Sequence, residues 1–150
     1  MLEYKAAEMQ DAPVIFSLNR QLIDQYEDKD KIDYAWIMDW VKRKILRDLA
    51  QYKSVWYQGR KAGYFLLRET EGLLELDDLF VLEDFQDLGI GTEILRHCIE
   101  TGCDKGLPIC LFVFIRNERA VKLYERMGFR ITAGKNARVQ MRHAAGGKSE

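Results

Sequence analysis

The chain reads Gln86-Asp87-Leu88-Gly89-Ile90-Gly91-Thr92 shortly after an apolar run at 79–82, and an amphipathic helix pattern begins near Ile90. This order predicts a strand, a tight turn and a helix start. The first N–H groups of a helix have no internal acceptor, and the helix dipole favours negative charge beside them. Glycine lets a phosphate approach the backbone because no Cβ stands in the way. The segment therefore predicts that residues 86–92 bind a phosphorylated ligand.

The glycine-bearing segment does not match two common phosphate-binding motifs. A dinucleotide fingerprint needs a third glycine, but Gly91 is followed by Thr92, Glu93 and Ile94. A P-loop needs the string G-x-x-x-x-G-K-[ST], which the chain lacks. Gly89 and Gly91 alone would equally fit an ordinary tight turn.

A second motif lies downstream, between the apolar strand pattern at 108–115 and residue 129. It reads Asn-x-x-Ala-x-x-x-Tyr-x-x-x-Gly-Phe and comprises Asn117, Ala120, Tyr124, Gly128 and Phe129. Combined with Gln-x-x-Gly-x-Gly at 86–91, it resembles the GNAT superfamily of acetyl-CoA-dependent N-acetyltransferases. The resemblance covers roughly residues 74–131, and the N-terminal half is similar to the family only in its layout.

The alternation of helix and strand patterns predicts an α+β fold. The resemblance implies the GNAT fold, with a mixed, mostly antiparallel central sheet of six or seven strands flanked by about four helices. We expect one N-acetyltransferase domain at residues 1–143 and a flexible C-terminal tail at 144–150. Helices are predicted at about 12–26, 34–50, 89–102 and 117–128.

Composition agrees with one soluble catalytic domain. The chain has 150 residues, is 47% hydrophobic and carries a net charge of −1, which gives no global argument for nucleic-acid or anionic-membrane binding. No apolar run approaches the roughly 18 residues of a membrane span. The three cysteines lack C-x-x-C spacing, which favours a reducing compartment, and the cytoplasm is the expected location. Homodimer formation is compatible with the sequence.

The resemblance implies that acetyl-CoA is the co-substrate and that backbone groups hold it. Its pyrophosphate would meet the N–H groups of residues 88–92, with Gln86 and Asp87 lining the turn, and its pantetheine arm would pair with the preceding strand. The residues implied in cofactor binding are Leu79, Phe80, Val81, Gln86, Asp87, Leu88, Gly89, Ile90, Gly91, Thr92, Asn117, Ala120 and Tyr124.

Acetyl transfer to an amine needs a group that removes a proton, because a free amine near pKa ~10 is protonated at neutral pH. The segment 76–81 is similar to the Glu-Asp-x-Phe-Val segment of diamine and polyamine N-acetyltransferases. This resemblance places Asp77 where their functional Glu lies, one methylene shorter. On a regular strand Glu75 and Asp77 share a face and Asp78 points away. A bulge, which is common in this family, would change which of these side chains share a face. Asp77 and Asp78 are the catalytic candidates; Glu75, a bound water or plain strand-edge acids remain alternatives.

Tyr124 occupies the position of the family's general acid. A phenol near pKa ~10 can return a proton to a departing thiolate near pKa ~8.5. The alternative is an aromatic side chain that only packs in the core.

Two other features of the sequence do not predict a catalytic or binding site. His97 and His143 lie far apart and lack metal-ligand spacing, so no metal is expected. The cluster Lys42, Arg43, Lys44 and Arg47 suggests a solvated helix face.

The expected acceptor is a small-molecule primary amine. A diamine or polyamine would suit an acidic mouth formed by Asp24, Glu27, Asp28, Asp30 and Asp33. A protein or peptide amine, or a non-catalytic acetyl-CoA-binding regulatory module, remains the alternative.

Overall fold

A seven-stranded mixed sheet organises the protein in the computed structural model, which describes residues 1–144. All neighbouring strands are antiparallel except β4 and β5, and the spatial order is β1-β2-β3-β4-β5-β7-β6. This confirms the predicted α+β fold. Most of the predicted tail at 144–150 lies outside the described residues. The strands are β1 (Leu2–Ala6), β2 (Tyr52–Tyr57), β3 (Arg60–Thr70), β4 (Leu73–Val81), β5 (Ile109–Phe114), β6 (Arg130–Lys135) and β7 (Arg138–His143).

Four α-helices flank the sheet, and their ends follow local signals. Asn117 caps the last helix by accepting a hydrogen bond from the Ala120 N–H at 3.3 Å. The third helix continues past the predicted end at Gly102 and stops at Gly106, which adopts a left-handed φ of 70°. No helix in residues 1–144 has the length and apolarity needed to cross a membrane. The helices are α1 (Ala12–Tyr26), α2 (Tyr34–Asp48), α3 (Ile90–Lys105) and α4 (Glu118–Arg126).

Each face of the sheet carries its own apolar core. Helices α3 and α4 cover one face, and α1 and α2 cover the other, so each helix buries one apolar stripe. The α3/α4 core includes Phe65, Leu76, Ile94, Leu95, Leu111 and Val121. The α1/α2 core includes Ile15, Ile23, Val41, Ile45, Tyr52 and Leu66.

Strands β4 and β5 stay together for only three residue pairs, from Leu74↔Ile109 to Leu76↔Leu111. Beyond Leu76, β4 pairs with β3 alone within the described chain, so its other edge keeps backbone groups without a strand partner. The sheet therefore opens at this point, and side chains from both of its faces reach one gap.

A bulge in β4 sets which side chains face this gap. Leu66 of β3 pairs with Asp78, but the next residue, Leu67, pairs with Leu76, which leaves Asp77 as the extra residue. The alternation expected for a regular strand therefore does not apply here, and the bulge given as the alternative describes β4. The bulge turns both carboxylates toward the α1/α2 face.

Candidate active site

A cleft opens where β4 and β5 separate, and it collects residues from both faces of the sheet. Side chains of α1 and α2 form one wall, and β5 and α4 form the other. Asp77 and Asp78 lie on its β4 wall, and Tyr124 reaches it from α4. The structure thus brings together all three residues that the sequence predicted as catalytic.

Asp77 is held in an ion network. Its Oδ2 accepts a hydrogen bond from Arg68 Nε at 2.5 Å and lies 3.8 Å from Lys44 Nζ. Arg68 also binds Glu75 at 2.7 Å. Asp77 is therefore already paired with two cations.

Asp78 has a different environment. Tyr52 donates a hydrogen bond to its Oδ2, and Asn19 donates to the same oxygen at 3.3 Å. Asp78 is half-buried and lines the cleft. Burial raises the pKa of its carboxyl above the usual range, while Tyr52, Lys44 and Asn19 act in the opposite direction. A carboxyl with a raised pKa is suited to accept a proton near neutral pH.

Tyr124 is almost completely buried, between the α3/α4 core and the cleft. Burial raises the pKa of its phenol, and the Cys98 sulfur and the Asp78 carboxylate add to the shift. Its hydroxyl has no hydrogen-bond partner within residues 1–144. The hydroxyl oxygen is not among the fully buried side-chain atoms that lack a partner, so it retains accessible surface in the cleft and is available for a ligand.

The segment at 86–92 forms the turn that its glycines predicted. Gly89 precedes α3 with a φ of 80°, a conformation that side chains rarely adopt, and Ile90 begins the helix in the core. A Cβ added at Gly91 would meet only the side chains of Leu123 and Val81, at 3.7 and 3.8 Å. The N–H groups at 90–92 begin the helix and therefore lack intrahelical acceptors.

The segment lines a second depression next to the cleft, except for Leu88. Thr92 lines it, whereas the Leu88 side chain is 56% exposed and is not part of its lining. Gln86 donates a hydrogen bond to the Val81 carbonyl at 3.1 Å and so ties the turn to β4.

The α4 wall of this second depression is basic. It carries Arg119, Lys122 and Arg126, and Arg119 forms an ion pair with Asp87 across the depression. Within the described chain, no carboxylate lies within 4.0 Å of the Lys122 or Arg126 side-chain nitrogens. The wall therefore has a surplus of positive charge facing the turn, which suits an anion.

Asn117 and Ala120 stand between the cleft and the depression, since both line each of them. On the opposite side, Leu79 and Val81 pack toward the α3/α4 core and Phe80 is buried. The backbone of 79–81 follows the open edge of β4, where an extended ligand would find unpaired groups.

The acidic segment between α1 and α2 does not line the cleft. Asp24, Glu27, Asp28 and Asp30 surround a separate depression together with Arg116. Several of these acids are already engaged: Asp24 pairs with Lys29 at 3.2 Å, and Asp33 accepts a hydrogen bond from the Trp36 N–H that starts α2. The acidic mouth expected from the sequence is not assembled around Asp77 and Asp78.

Sequence reasoning missed four side chains at this site. Tyr52, Asn19 and Arg68 lie in ordinary strand and helix patterns that carry no local signal. Lys44 belongs to the basic cluster expected on a solvated face, yet its side chain is only 19% exposed and faces Asp77. No group of three or more metal-ligating side chains occurs within residues 1–144.

A family profile described as the Acetyltransferase (GNAT) family matches residues 14–129, most of the chain and both walls of the cleft. The chain belongs to the GNAT family. Its relatives include an uncharacterized N-acetyltransferase of Methanocaldococcus jannaschii, 28% identical over 114 residues, which cover 71% of this chain and 49% of that protein. The chain spans about half the length of the curated relatives it matches.

Solved structures share this GNAT fold over nearly the whole chain. The PaiA N-acetyltransferase of Thermoplasma acidophilum, crystallised with coenzyme A, has a TM-score of 0.73 at 16% identity and covers 95% of this chain and 98% of its own. Naa50 of Arabidopsis thaliana, bound to the bisubstrate analogue CoA-Ac-MVNAL, has a TM-score of 0.62 at 23% identity, covering 94% and 97%.

Proposed function

We propose that the protein is an N-acetyltransferase that moves the acetyl group of acetyl-CoA directly to the primary amine of a small molecule. One observation carries this proposal. Tyr124, whose phenol has no hydrogen-bond partner within residues 1–144, and the half-buried carboxylate of Asp78 line one cleft beside the glycine turn of a GNAT fold.

The residues of the second depression fit the phosphates of acetyl-CoA. A Cβ at Gly91 would make only ordinary van der Waals contacts, the helix start at 90–92 presents N–H groups, and Lys122 and Arg126 add positive charge. The open edge of β4 at 79–81 and the residues Asn117 and Ala120 would hold the extended arm of the same molecule. The donor would then run from the depression into the cleft.

The two candidate groups for proton transfer have complementary roles. Bound acetyl-CoA supplies a thioester, whose carbonyl carbon bonds to the amine nitrogen as its carbon–sulfur bond breaks. Asp78 takes the proton that the ammonium group loses to become a neutral amine. Tyr124 gives its proton to the departing sulfur, and the second proton, lost by the nitrogen on acylation, restores the Tyr124 phenol. Asp77 contributes by holding Arg68 and Lys44 in the cleft wall.

The nature of the acceptor follows from the charges in the cleft. Two half-buried acids of its wall, Glu75 and Asp77, are paired with Arg68, so a second ammonium group would have to displace an existing ion pair. We therefore propose a single primary amine as the recognised feature. A diamine or polyamine would need the acids of the α1–α2 connection, which surround a different depression.

A peptide or protein amine is the second candidate. It is supported by the open mouth of the cleft, where the Trp40 and Phe112 side chains are 40% and 58% exposed and offer apolar contact area. The Arabidopsis neighbour was solved with a bisubstrate analogue that contains a peptide sequence.

Two measurements test the proposal. Acetyl-CoA should raise the melting temperature, and Gly91→Asp should abolish this effect without lowering the melting temperature of the free protein. Release of coenzyme A thiol should then be followed with butylamine, putrescine, spermidine and a short peptide with a free N-terminus, each at low and high salt. Thermal stabilisation without thiol release from any amine would favour a non-catalytic binding module, and the absence of both would contradict the proposal.

A further inference from the structure

Two donors from different elements converge on one oxygen of Asp78, and neither has an assigned role. We infer that Tyr52 and Asn19 are positioning residues that fix Oδ2 of Asp78, so that Oδ1 becomes the atom that accepts the proton of the acceptor amine. This inference rests on the proposed acetyl transfer.

The sheet brings Tyr52 to Asp78. Tyr52 pairs with Leu66, and Leu66 pairs with Asp78, so the three side chains lie on one face of adjacent strands. Tyr52 has no exposed surface, and its hydroxyl donates to Oδ2 of Asp78. The bulge at Asp77 determines the face of β4 on which Asp78 lies. The same irregularity therefore orients the Asp78 carboxylate and places it beside Tyr52.

Asn19 restrains the same oxygen from α1. Its side-chain nitrogen donates to Asp78 Oδ2 at 3.3 Å and to the Ile15 carbonyl at 3.0 Å. The second bond anchors the amide to its own helix. With Oδ2 occupied twice, Oδ1 has no hydrogen-bond partner within residues 1–144 and is open to the cleft.

A second tyrosine–aspartate pair shows what a purely structural arrangement looks like in this protein. Tyr64 donates to Oδ1 of Asp11 at 2.7 Å, and Lys61 donates to the same oxygen at 2.7 Å. The Glu8 N–H occupies the other oxygen at 2.8 Å. Both oxygens of Asp11 are therefore engaged, whereas Asp78 keeps one oxygen for the cleft.

The donors also control the proton affinity of Asp78. A hydrogen bond to the ionised form lowers a carboxyl pKa, so Tyr52 and Asn19 oppose the increase caused by burial. The other charged or titratable groups facing Asp78 are Lys44 from α2, which lowers its pKa, and Asp77, which raises it; Tyr124 faces it from α4.

The test compares three substitutions. Tyr52→Phe and Asn19→Ala each remove one donor to Asp78, and Tyr64→Phe is the matched control because it removes an equivalent buried bond to Asp11. The Asp78 carboxyl is titrated by ¹³C NMR, and the pH dependence of kcat is measured with a saturating amine. Because hydrogen bonds to charged groups are strong, Tyr52→Phe should move the Asp78 titration upward by about one to two pH units.

The three variants separate the possible outcomes. Asn19→Ala should cause a smaller upward shift, since its bond is longer, and Tyr64→Phe should cause none. The acidic limb of kcat should follow the NMR shift, with acetyl-CoA affinity unchanged. An unshifted Asp78 titration in Tyr52→Phe, or an equal shift in Tyr64→Phe, overturns the inference. A shifted titration in a protein that never releases thiol instead contradicts the proposed transfer and leaves the positioning role intact.

Discussion

Replacing Tyr124 with Phe separates a catalytic role from core packing. The substitution keeps the aromatic ring, which packs against Phe129 at a centroid distance of 5.8 Å, and removes only the hydroxyl. That hydroxyl has no hydrogen-bond partner within residues 1–144, so no internal bond is lost. The free energy of unfolding should therefore stay the same or rise by up to about 1 kcal/mol.

Activity should respond in the opposite way. General acid catalysis contributes typically about 10²–10⁴-fold, so kcat should fall by that factor, equivalent to about 3–5 kcal/mol in the barrier. Acetyl-CoA affinity should change little. The assay is thiol release under saturating acetyl-CoA and amine, with urea unfolding and calorimetric titration of the donor on the same samples.

Two results would refute the reasoning about Tyr124. One is a kcat within about twofold of the parent, provided that a pre-steady-state burst is absent, so that chemistry and not product release limits turnover. The other is a loss of stability as large as that of Tyr64→Phe, which breaks a real hydrogen bond to Asp11. Such a loss would mean that the Tyr124 hydroxyl has a structural partner.

Three further outcomes are expected. Gly91→Asp should abolish coenzyme A binding in calorimetry while the melting curve stays native, because its Cβ has room and its carboxylate repels the pyrophosphate; unchanged affinity would disprove the assigned pocket. Asp87→Asn should tighten coenzyme A binding severalfold at low salt, since it frees Arg119 and removes a negative charge from the depression, and weaker binding would contradict this. Asp11→Asn should flatten the acid side of the stability–pH curve, measured by urea unfolding. Burial acts to raise the pKa of the Asp11 carboxyl. The hydrogen bonds that this carboxyl accepts, foremost that from Lys61, outweigh burial and hold its folded pKa below the unfolded value. Its contribution to stability is therefore lost as pH falls through the folded pKa.

Much of the GNAT fold follows from local signals in the sequence. Apolar spacing and glycine positions predicted the strand, turn and helix at 79–102, because hydrophobic periodicity and left-handed backbone conformations depend on residues close in the chain. Asn117 was recognisable as a helix cap for the same reason, and its bond to Ala120 spans only three residues. The position of Tyr124 on the inner face of α4 also follows from helical spacing.

The chemistry of the cleft needed the tertiary structure. The face on which Asp78 lies depends on a register mismatch between β3 and β4, which no pattern within β4 reveals. Its partners Tyr52 and Asn19 come from 26 and 59 residues away in the chain. Lys44 looked solvated because its helical pattern is polar, and only the approach of α2 to β4 placed it beside Asp77. The sequence by itself determined the elements and the glycine turn, because these depend on neighbours along the chain. The different surroundings of two adjacent carboxylates were decided by packing between distant elements, which the order of residues does not encode locally.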